Sequence, residues 1–428
     1  MTGEKILLFS DSLEVPSGFG NNAANIAWCL AEKFDVHLMG LQTYQQHDVK
    51  LNMEGKERIV TEHPNLPKNN DVQWDFGVKS LPPLLDKLKP DILLTINDIQ
   101  MVAHIPQILC PDKATLKLID LPSKDIIPPD ALAMQLEALV SKFQEKFPRN
   151  TKWIMYAPED GHPPMPNWGF YYQFADSVVA FAKYGQWVFK KYFGMDVPYI
   201  YHATDSNVFK PMDKSPEAEG KFILGDINRN QPRKQPLRAL EAFAKFAKDK
   251  EDVFLHMQMD WRDQFGWPID YFIDHVYQIP ARKCIPPKPF GMPREEVVKT
   301  FNDWDVHLMP TAGEGFGIPF IEAAICGIPT IGTGYTTTDE LIIEGAPGPR
   351  GISCGYDIYW EKIDEAAVGR ALIDIGEFVE AMNRYYYDRD LLKEHGKNGR
   401  KWALENATLK VIEPQWINHI KKVLNEKT

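Results

Sequence analysis

Residues Asp305 to Thr333 read DVHLMPTAGEGFGIPFIEAAICGIPTIGT. Val306 to Met309 is an apolar run of strand length closed by Pro310, and three glycines follow within five residues, Gly313, Gly315 and Gly317. Glycine at that density suits a loop whose backbone turns sharply or comes close to a ligand. Pro319 stands where a first helical turn begins, and Gly327 where that helix should stop. The order strand, glycine loop, short helix, strand predicts a unit whose helix start offers unpaired N–H groups and a positive dipole to an anion, phosphate first among them.

Two carboxylates separated by seven residues frame this unit. Glu314 lies in the loop and Glu322 about one turn inside the helix, so both reach a ligand held at the helix start. A carboxylate repels phosphate, so hydroxyls are the expected partners of both, and a molecule carrying phosphates and many hydroxyls is a nucleotide sugar. The stretch resembles the E-x7-E signature of family-four retaining glycosyltransferases (group 1) of the GT-B fold. The resemblance implies that Glu314 faces the donor sugar and Glu322 the ribose. It also implies that the loop around Gly315, with the amides of Phe316 and Gly317, contacts the donor.

Upstream, Phe222 to Ile227 reads as a strand, NRNQPRKQP as a loop, and Leu237 to about Lys248 as a helix. Arg229 and Lys234 sit five apart in that loop. Basic residues so placed are ordinarily a solvated loop, but they match the Arg and Lys pair that follows the first strand of the family's donor domain. The resemblance therefore implies that both meet the donor diphosphate, where cations fixed in advance stabilise the charge that develops on a leaving group; Arg233 is adjacent and able to compensate. Cys284 to Phe290, CIPPKPF, corresponds to a segment that passes near the nucleotide base in the family. Asp303-Trp304-Asp305 spells a D-x-D, but Asp305 is better placed to cap the turn before Val306, and no metal site is expected.

The N-terminal half matches more loosely. Lys5 to Ser10 is the first strand, followed by the loop DSLEVPSGFG and a helix from about Asn22 to Glu32. Gly18, Gly20 and Ala23 spell G-x-G-x-x-A, yet seven residues separate the strand from the first glycine, and the next strand, Val36 to Leu41, has no acid for a ribose at its end. The resemblance gives Gly18 and Gly20 to a glycine loop near the donor phosphates and acceptor. Residues 43–80 lack periodicity and read as irregular surface structure, and Asp91 to Ile96 is a strand ending at Asn97 and Asp98. A helix is expected from Pro128 to Pro148. After the strand Lys152 to Ala157, Asp160 and His162 stand where many relatives carry a histidine of the catalytic region; Asp160 is the candidate, and His202 further on reads as structural. Ala366 to Ala407 reads as helical, and a last helix, about Val411 to Leu424, resembles the family's habit of returning to brace the N-terminal domain.

Composition bounds the remainder. The chain has 428 residues, enough for two or three domains, with 44% hydrophobic and 25% charged residues and a net charge of −11 that argues against a nucleic-acid partner. Five dispersed cysteines without a C-x-x-C fit neither a disulfide framework nor zinc. No apolar run approaches the ~18 residues of a spanning helix, and the expected location is cytoplasmic. The expectation is α/β, two Rossmann-like domains facing across a cleft: an acceptor domain over 1–205, a linker over 206–220, a donor domain over 221–410, and a returning helix over 411–428. What the resemblance implies is retaining, metal-independent transfer of a hexosyl group from a nucleotide-diphosphate sugar to an acceptor hydroxyl, on a sugar, glycolipid precursor or small molecule, with no cofactor. A nucleotide-sugar epimerase of the same fold and a non-catalytic nucleotide-sugar binder are the alternatives.

Overall fold

A computed structural model of the chain describes residues 3–65, 76–109, 151–165, 168–289, 291–363 and 366–425. The helix expected over Pro128–Pro148 lies outside the described residues. Two separate parallel-rich sheets carry the fold, in agreement with the expected α/β class.

The first sheet is built on β1, Lys5–Ser10, whose apolar residues are buried on both faces, as a strand covered by helices on either side must be. Around it lie β2 (Asp35–Gly40), β3 (His47–Met53), β4 (Lys56–Pro64), β5 (Ile92–Ile96), β6 (Lys152–Ala157) and β7 (Ser177–Ala180). Their spatial order is β3-β4-β2-β1-β5-β6-β7, parallel except for the β3–β4 hairpin. The second sheet comprises β8 (Phe222–Ile227), β9 (Val253–Gln258), β10 (Cys284–Ile285), β11 (Val306–Met309), β12 (Thr330–Thr333) and β13 (Gly351–Cys354), in the order β10-β9-β8-β11-β12-β13 and parallel throughout. Chain order reverses between β8 and β11, so the loops leaving their carboxyl ends diverge and open a crevice there.

Three expectations are corrected. Residues 43–80 are not irregular throughout: 47–64 form the hairpin, because Val49, Leu51 and Met53 alternate with polar residues and bury one face. The stretch from Ala366 is not helical at its start. Tyr356–Ile363 (β14) and Ala366–Ile373 (β15) pair as an isolated antiparallel hairpin, and helices Ile375–Tyr387 and Arg389–Asn406 follow only then. The first helix begins at Gly18 and not near Asn22, because Ser17 caps it, its Oγ accepting from the Gly20 N–H at 2.9 Å. Gly18 and Gly20 therefore form the first helical turn instead of a free loop. A Cβ on Gly20 would lie 2.4 Å from the Val15 carbonyl oxygen, whereas one on Gly18 would meet nothing within 4 Å.

The two sheets are bound together by side chains that cross between them. Glu340, from the second half, caps helix Lys183–Phe193 of the first: its oxygens accept from the N–H groups of Lys183 and Tyr184 at 2.9 Å each, and from the Tyr201 hydroxyl at 2.5 Å. The connection over 206–220 is pinned to the end of helix Arg294–Asn302, where Asn302 accepts from Met212 N–H at 2.7 Å and Asp303 from Ser215 N–H at 2.8 Å. The final helix, Leu409–Asn425, lies against helix Gly18–Leu30. Its Trp416 is fully buried, with the Tyr156 ring at 4.8 Å, and Lys152 of β6 donates to the Val423 carbonyl at 2.8 Å. Trp416→Ala should cost about 3–5 kcal/mol through the cavity it leaves. Urea unfolding followed by fluorescence and circular dichroism measures it, and a loss below 1 kcal/mol would mean that the helix braces nothing.

Candidate functional site

Two loops at the crevice between β8 and β11 bring cations and a carboxylate into contact. After β8, the turn Pro232–Lys234 ends at Gln235, held at φ +51°, and helix Pro236–Phe246 starts directly after it. This bend turns Lys234 inward. After β11, Gly317 at φ +89° makes the left-handed turn into helix Ile318–Cys326, where a side chain would be strained. No side chain caps that helix start; Pro319 has no N–H and the Phe320 N–H donates to the Gly317 carbonyl at 3.0 Å, which leaves Ile318 as the first-turn donor for an incoming acceptor.

Glu314 is buried between the loops. Lys234 Nζ lies 2.5 Å from its Oε1, the Thr311 hydroxyl donates to the same oxygen at 2.7 Å, and Arg233 Nη1 is 3.4 Å away. Its own N–H donates to Thr336 Oγ1 at 2.9 Å, and Thr337 Oγ1 donates to the Phe316 carbonyl at 2.9 Å, fixing the loop on both sides. Burial opposes the charge of Glu314, but Lys234 and Arg233 outweigh it and hold the carboxyl at about 2. Burial likewise draws Lys234 below its ordinary value while Glu314 opposes it. The result is an ion pair with little access to water. Beneath it, burial pushes Asp226 at the end of β8 up to about 7, with Asn228 donating to it at 2.7 Å.

The other wall belongs to the first sheet. The loop after β6, Pro158 to His162, presses directly on the glycine loop. A Cβ on Gly313 would come within 2.1 Å of the Asp160 carbonyl oxygen, and one on Gly315 within 2.9 Å of Pro158 Cβ. Gly313 and Gly315 thus admit the opposite domain's backbone. Asp160 sits between two guanidinium groups, with Arg370 Nη1 2.8 Å from Oδ1 and Arg233 Nε 3.7 Å from Oδ2. Behind it, burial pushes Glu159 up to about 8 despite the Tyr172 hydroxyl bonded at 2.8 Å.

The sequence-derived candidates divide accordingly. Glu314, Lys234 and Asp160 come together in one network. Arg229 stands apart: its guanidinium is largely exposed, with Nε 3.1 Å from Asp263 Oδ2 and the ring of Phe265 beneath it at 5.7 Å. Arg233 occupies the position beside Glu314. Glu322 is half-buried inside helix Ile318–Cys326, and desolvation pushes it up to about 7 against the pull of Arg294. His162 turns away, its Nδ1 3.0 Å from the Tyr184 hydroxyl and its ring against Trp187 and Tyr335. His202 is buried against Phe181 and Phe316, with Nδ1 2.8 Å from the Tyr156 hydroxyl, and burial lowers it to about 3. The D-x-D carboxylates are engaged in the fold, since Asp305 Oδ2 accepts from the Ile223 N–H at 2.8 Å and from Lys214 Nζ at 2.6 Å. In CIPPKPF, Phe290 lies outside the described residues, and Lys288 exchanges backbone bonds with the Gln258 side chain.

Sequence reasoning missed Arg370, which lies in the stretch taken as helical. Alternating aromatic and β-branched residues in YDIYWEKI, followed by AAVGRALI, were the available signal for a hairpin.

Residues 289–402 match the family model of glycosyl transferases group 1. No curated protein sequence matches the chain. Its fold is that of the GT-B glycosyltransferases, with two Rossmann-like domains. Sucrose-phosphate synthase from Thermosynechococcus elongatus is 14% identical with a TM-score of 0.66, over 98% of this chain and 99% of that one. A glycosyltransferase from Rickettsia africae is 13% identical with a TM-score of 0.65 over 100% of both chains. Anabaena HepE, solved with UDP and glucose, is 16% identical with a TM-score of 0.59, over 98% of this chain and 100% of that one. Among the described residues no helix is long and apolar enough to cross a membrane.

Opposite pH responses follow for the two glutamates. Glu314 is depressed from 4.5 to about 2, so its contribution to stability is complete above pH 4.5 and is lost as pH falls toward 2. The unfolding free-energy difference between the parent and Glu314→Gln should shrink over that window. Glu322 is raised from 4.5 to about 7, so its contribution is complete below pH 4.5 and lost as pH rises through 7. Glu322→Gln should therefore be relatively more stable than the parent at pH 8 than at pH 4.5, in urea titrations at the two values; an equal difference at both pH values contradicts the assignment.

Proposed function

We propose that this protein is a retaining glycosyltransferase that moves a hexosyl group from a nucleotide-diphosphate sugar to an acceptor hydroxyl without a metal ion. The observation that carries the reading is the buried Glu314–Lys234 pair beside the uncapped start of helix Ile318–Cys326. The relatives add weight: HepE was solved with UDP and glucose and with UDP-glucose.

Each side chain has a part that its surroundings support. Lys234 is held charged by Glu314 and supplies a cation for the diphosphate, which gains negative charge as its bond to the sugar breaks. Arg229 is largely exposed at the same loop, and exchange of Asp263 for phosphate brings its guanidinium to the leaving group. The amides of Phe316 and Gly317, at the helix start, add donors that cost nothing to orient. Glu314, ionised, accepts from sugar hydroxyls, and Glu322 does the same for the ribose. Gly18 and Gly20 start a helix at the carboxyl side of β1, where the unobstructed face of Gly18 lets a donor or acceptor approach. Asp160 enters from the acceptor domain beside Glu314 and is suited to accept from the incoming hydroxyl. Retention is consistent with attack on the face the leaving group departs from, the phosphate oxygen taking the hydroxyl proton as the new glycosidic bond forms.

Incubation with a panel of nucleotide sugars, with and without sugar, glycolipid-precursor and small-molecule acceptors, should release nucleoside diphosphate far faster when an acceptor is present. EDTA should leave the rate unchanged, and proton NMR of the first product should show the donor's anomeric configuration. Lys234→Ala and Glu314→Gln should each lower kcat/KM by about 10²–10³-fold. Inversion of configuration, or turnover abolished by the chelator, overturns the corresponding part of the reading.

A further inference from the structure

Arg370 takes no part in the reaction as derived above, yet it is the least exposed cation of the network. It lies on β15, and its Nη1 donates to both the carbonyl oxygen and Oδ1 of Asp160, at 2.6 and 2.8 Å, while Nε donates to Glu361 at 2.6 Å. Its guanidinium lies 3.4 Å from where a Cβ on Gly313 would be, against the glycine loop on the side of the acceptor domain. Arg233 reaches the second oxygen of the same carboxylate. Two guanidinium groups from separate segments of the donor domain thus converge on one carboxylate supplied by the opposite domain. About a third of the Asp160 side chain remains accessible, at 31%, so it is held at the edge of the cleft and not sealed within a core.

We propose that Arg233 and Arg370 form an oxyanion subsite for a carboxylate or phosphate monoester carried by the donor sugar or by the acceptor, and that Asp160 occupies this position in the ligand-free protein. The proposal rests on the reading above, in which Lys234 and Arg229 face the diphosphate. A guanidinium offers only donors, in a planar fork that fits carboxylate and phosphate oxygens, whereas a neutral sugar's hydroxyls need acceptors as well. Each arginine keeps a second carboxylate when Asp160 leaves, Glu314 for Arg233 and Glu361 for Arg370, so the fork stays oriented for its replacement. Glu159, held protonated by burial, adds no repulsion there at neutral pH.

Calorimetric titration of the full chain with inorganic phosphate, glucose 6-phosphate, glucuronate and neutral glucose tests the subsite. Asp160→Asn removes the competing negative charge from both guanidinium groups and should tighten phosphate binding about tenfold or more. Adding Arg370→Gln to that variant should abolish the gain. Asp160→Ala, which removes the competing carboxylate and leaves Glu361 to hold Arg370, should shift phosphate affinity in the same direction as Asp160→Asn, so that the outcome does not depend on one variant folding. A gain for glucose 6-phosphate alone assigns the anion to a phosphorylated substrate, and a gain for glucuronate alone to a uronate. Binding of phosphate, glucose 6-phosphate and glucuronate all unchanged or weakened in Asp160→Asn, or a gain that survives Arg370→Gln, overturns the subsite. If no nucleotide sugar binds the parent protein, the donor assignment fails by itself, and the phosphate titrations still decide the subsite.

Discussion

The Glu314 carboxylate is ionised inside the protein, and only the cations set against it make that tolerable. An isolated buried carboxylate would take up a proton to escape its desolvation cost. Here Lys234 and Arg233 arrive from a neighbouring loop, and Thr311 adds a hydroxyl. That convergence demands that β8 and β11 be adjacent although 78 residues separate their ends, Ile227 and Val306 marking the limits of the two strands that the sheet brings together. It also demands the left-handed residues Gln235 and Gly317, which bend the two loops toward one another. The sheet order and the loop bends together therefore create the electrostatic site.

The second dependence is the contact between the halves. Gly313 and Gly315 are small because the backbone of Pro158 to Asp160 lies where their side chains would be. Glu340 caps a helix of the opposite domain, and the last helix is anchored through Trp416. The carboxylate of Asp160, from the half built on the first sheet, is consequently delivered to the second half with its charge already matched by Arg233 and Arg370. In the proposed subsite an entering anion competes with that internal ion pair, so the Asp160 contact and the affinity for the anion oppose one another.

Several elements were legible in the chain itself. The strands Lys5–Ser10, Lys152–Ala157, Phe222–Ile227 and Val306–Met309 have the expected bounds, because a strand buried on both faces writes itself as an uninterrupted apolar run. Pro319 and Gly327 marked the short helix through backbone geometry that few other residues share. The hairpin His47–Pro64 buries only one face, and in Tyr356–Ile373 the first strand stands largely exposed while Val368, Gly369, Arg370 and Ala371 are buried in succession, so neither shows as an unbroken apolar run. Ser17 as a cap was overlooked for a related reason: the signal of a helix start is a single side chain, easily masked by the glycines after it.

By itself, then, the sequence determined the local chemistry: a glycine loop before a helix start, glutamates on either side of it, and a basic loop after the first strand of the second half. These are short-range properties, set by φ preferences, capping and periodicity within about ten residues. Which cation stands against Glu314 was a tertiary decision, in favour of Lys234 and Arg233, with Arg229 turned to Asp263. So was the meeting of Asp160 with Arg370, 210 residues apart. Charge pairing falls off over a few ångströms, and only the packing of two sheets and an inserted hairpin specifies which distant groups come that close.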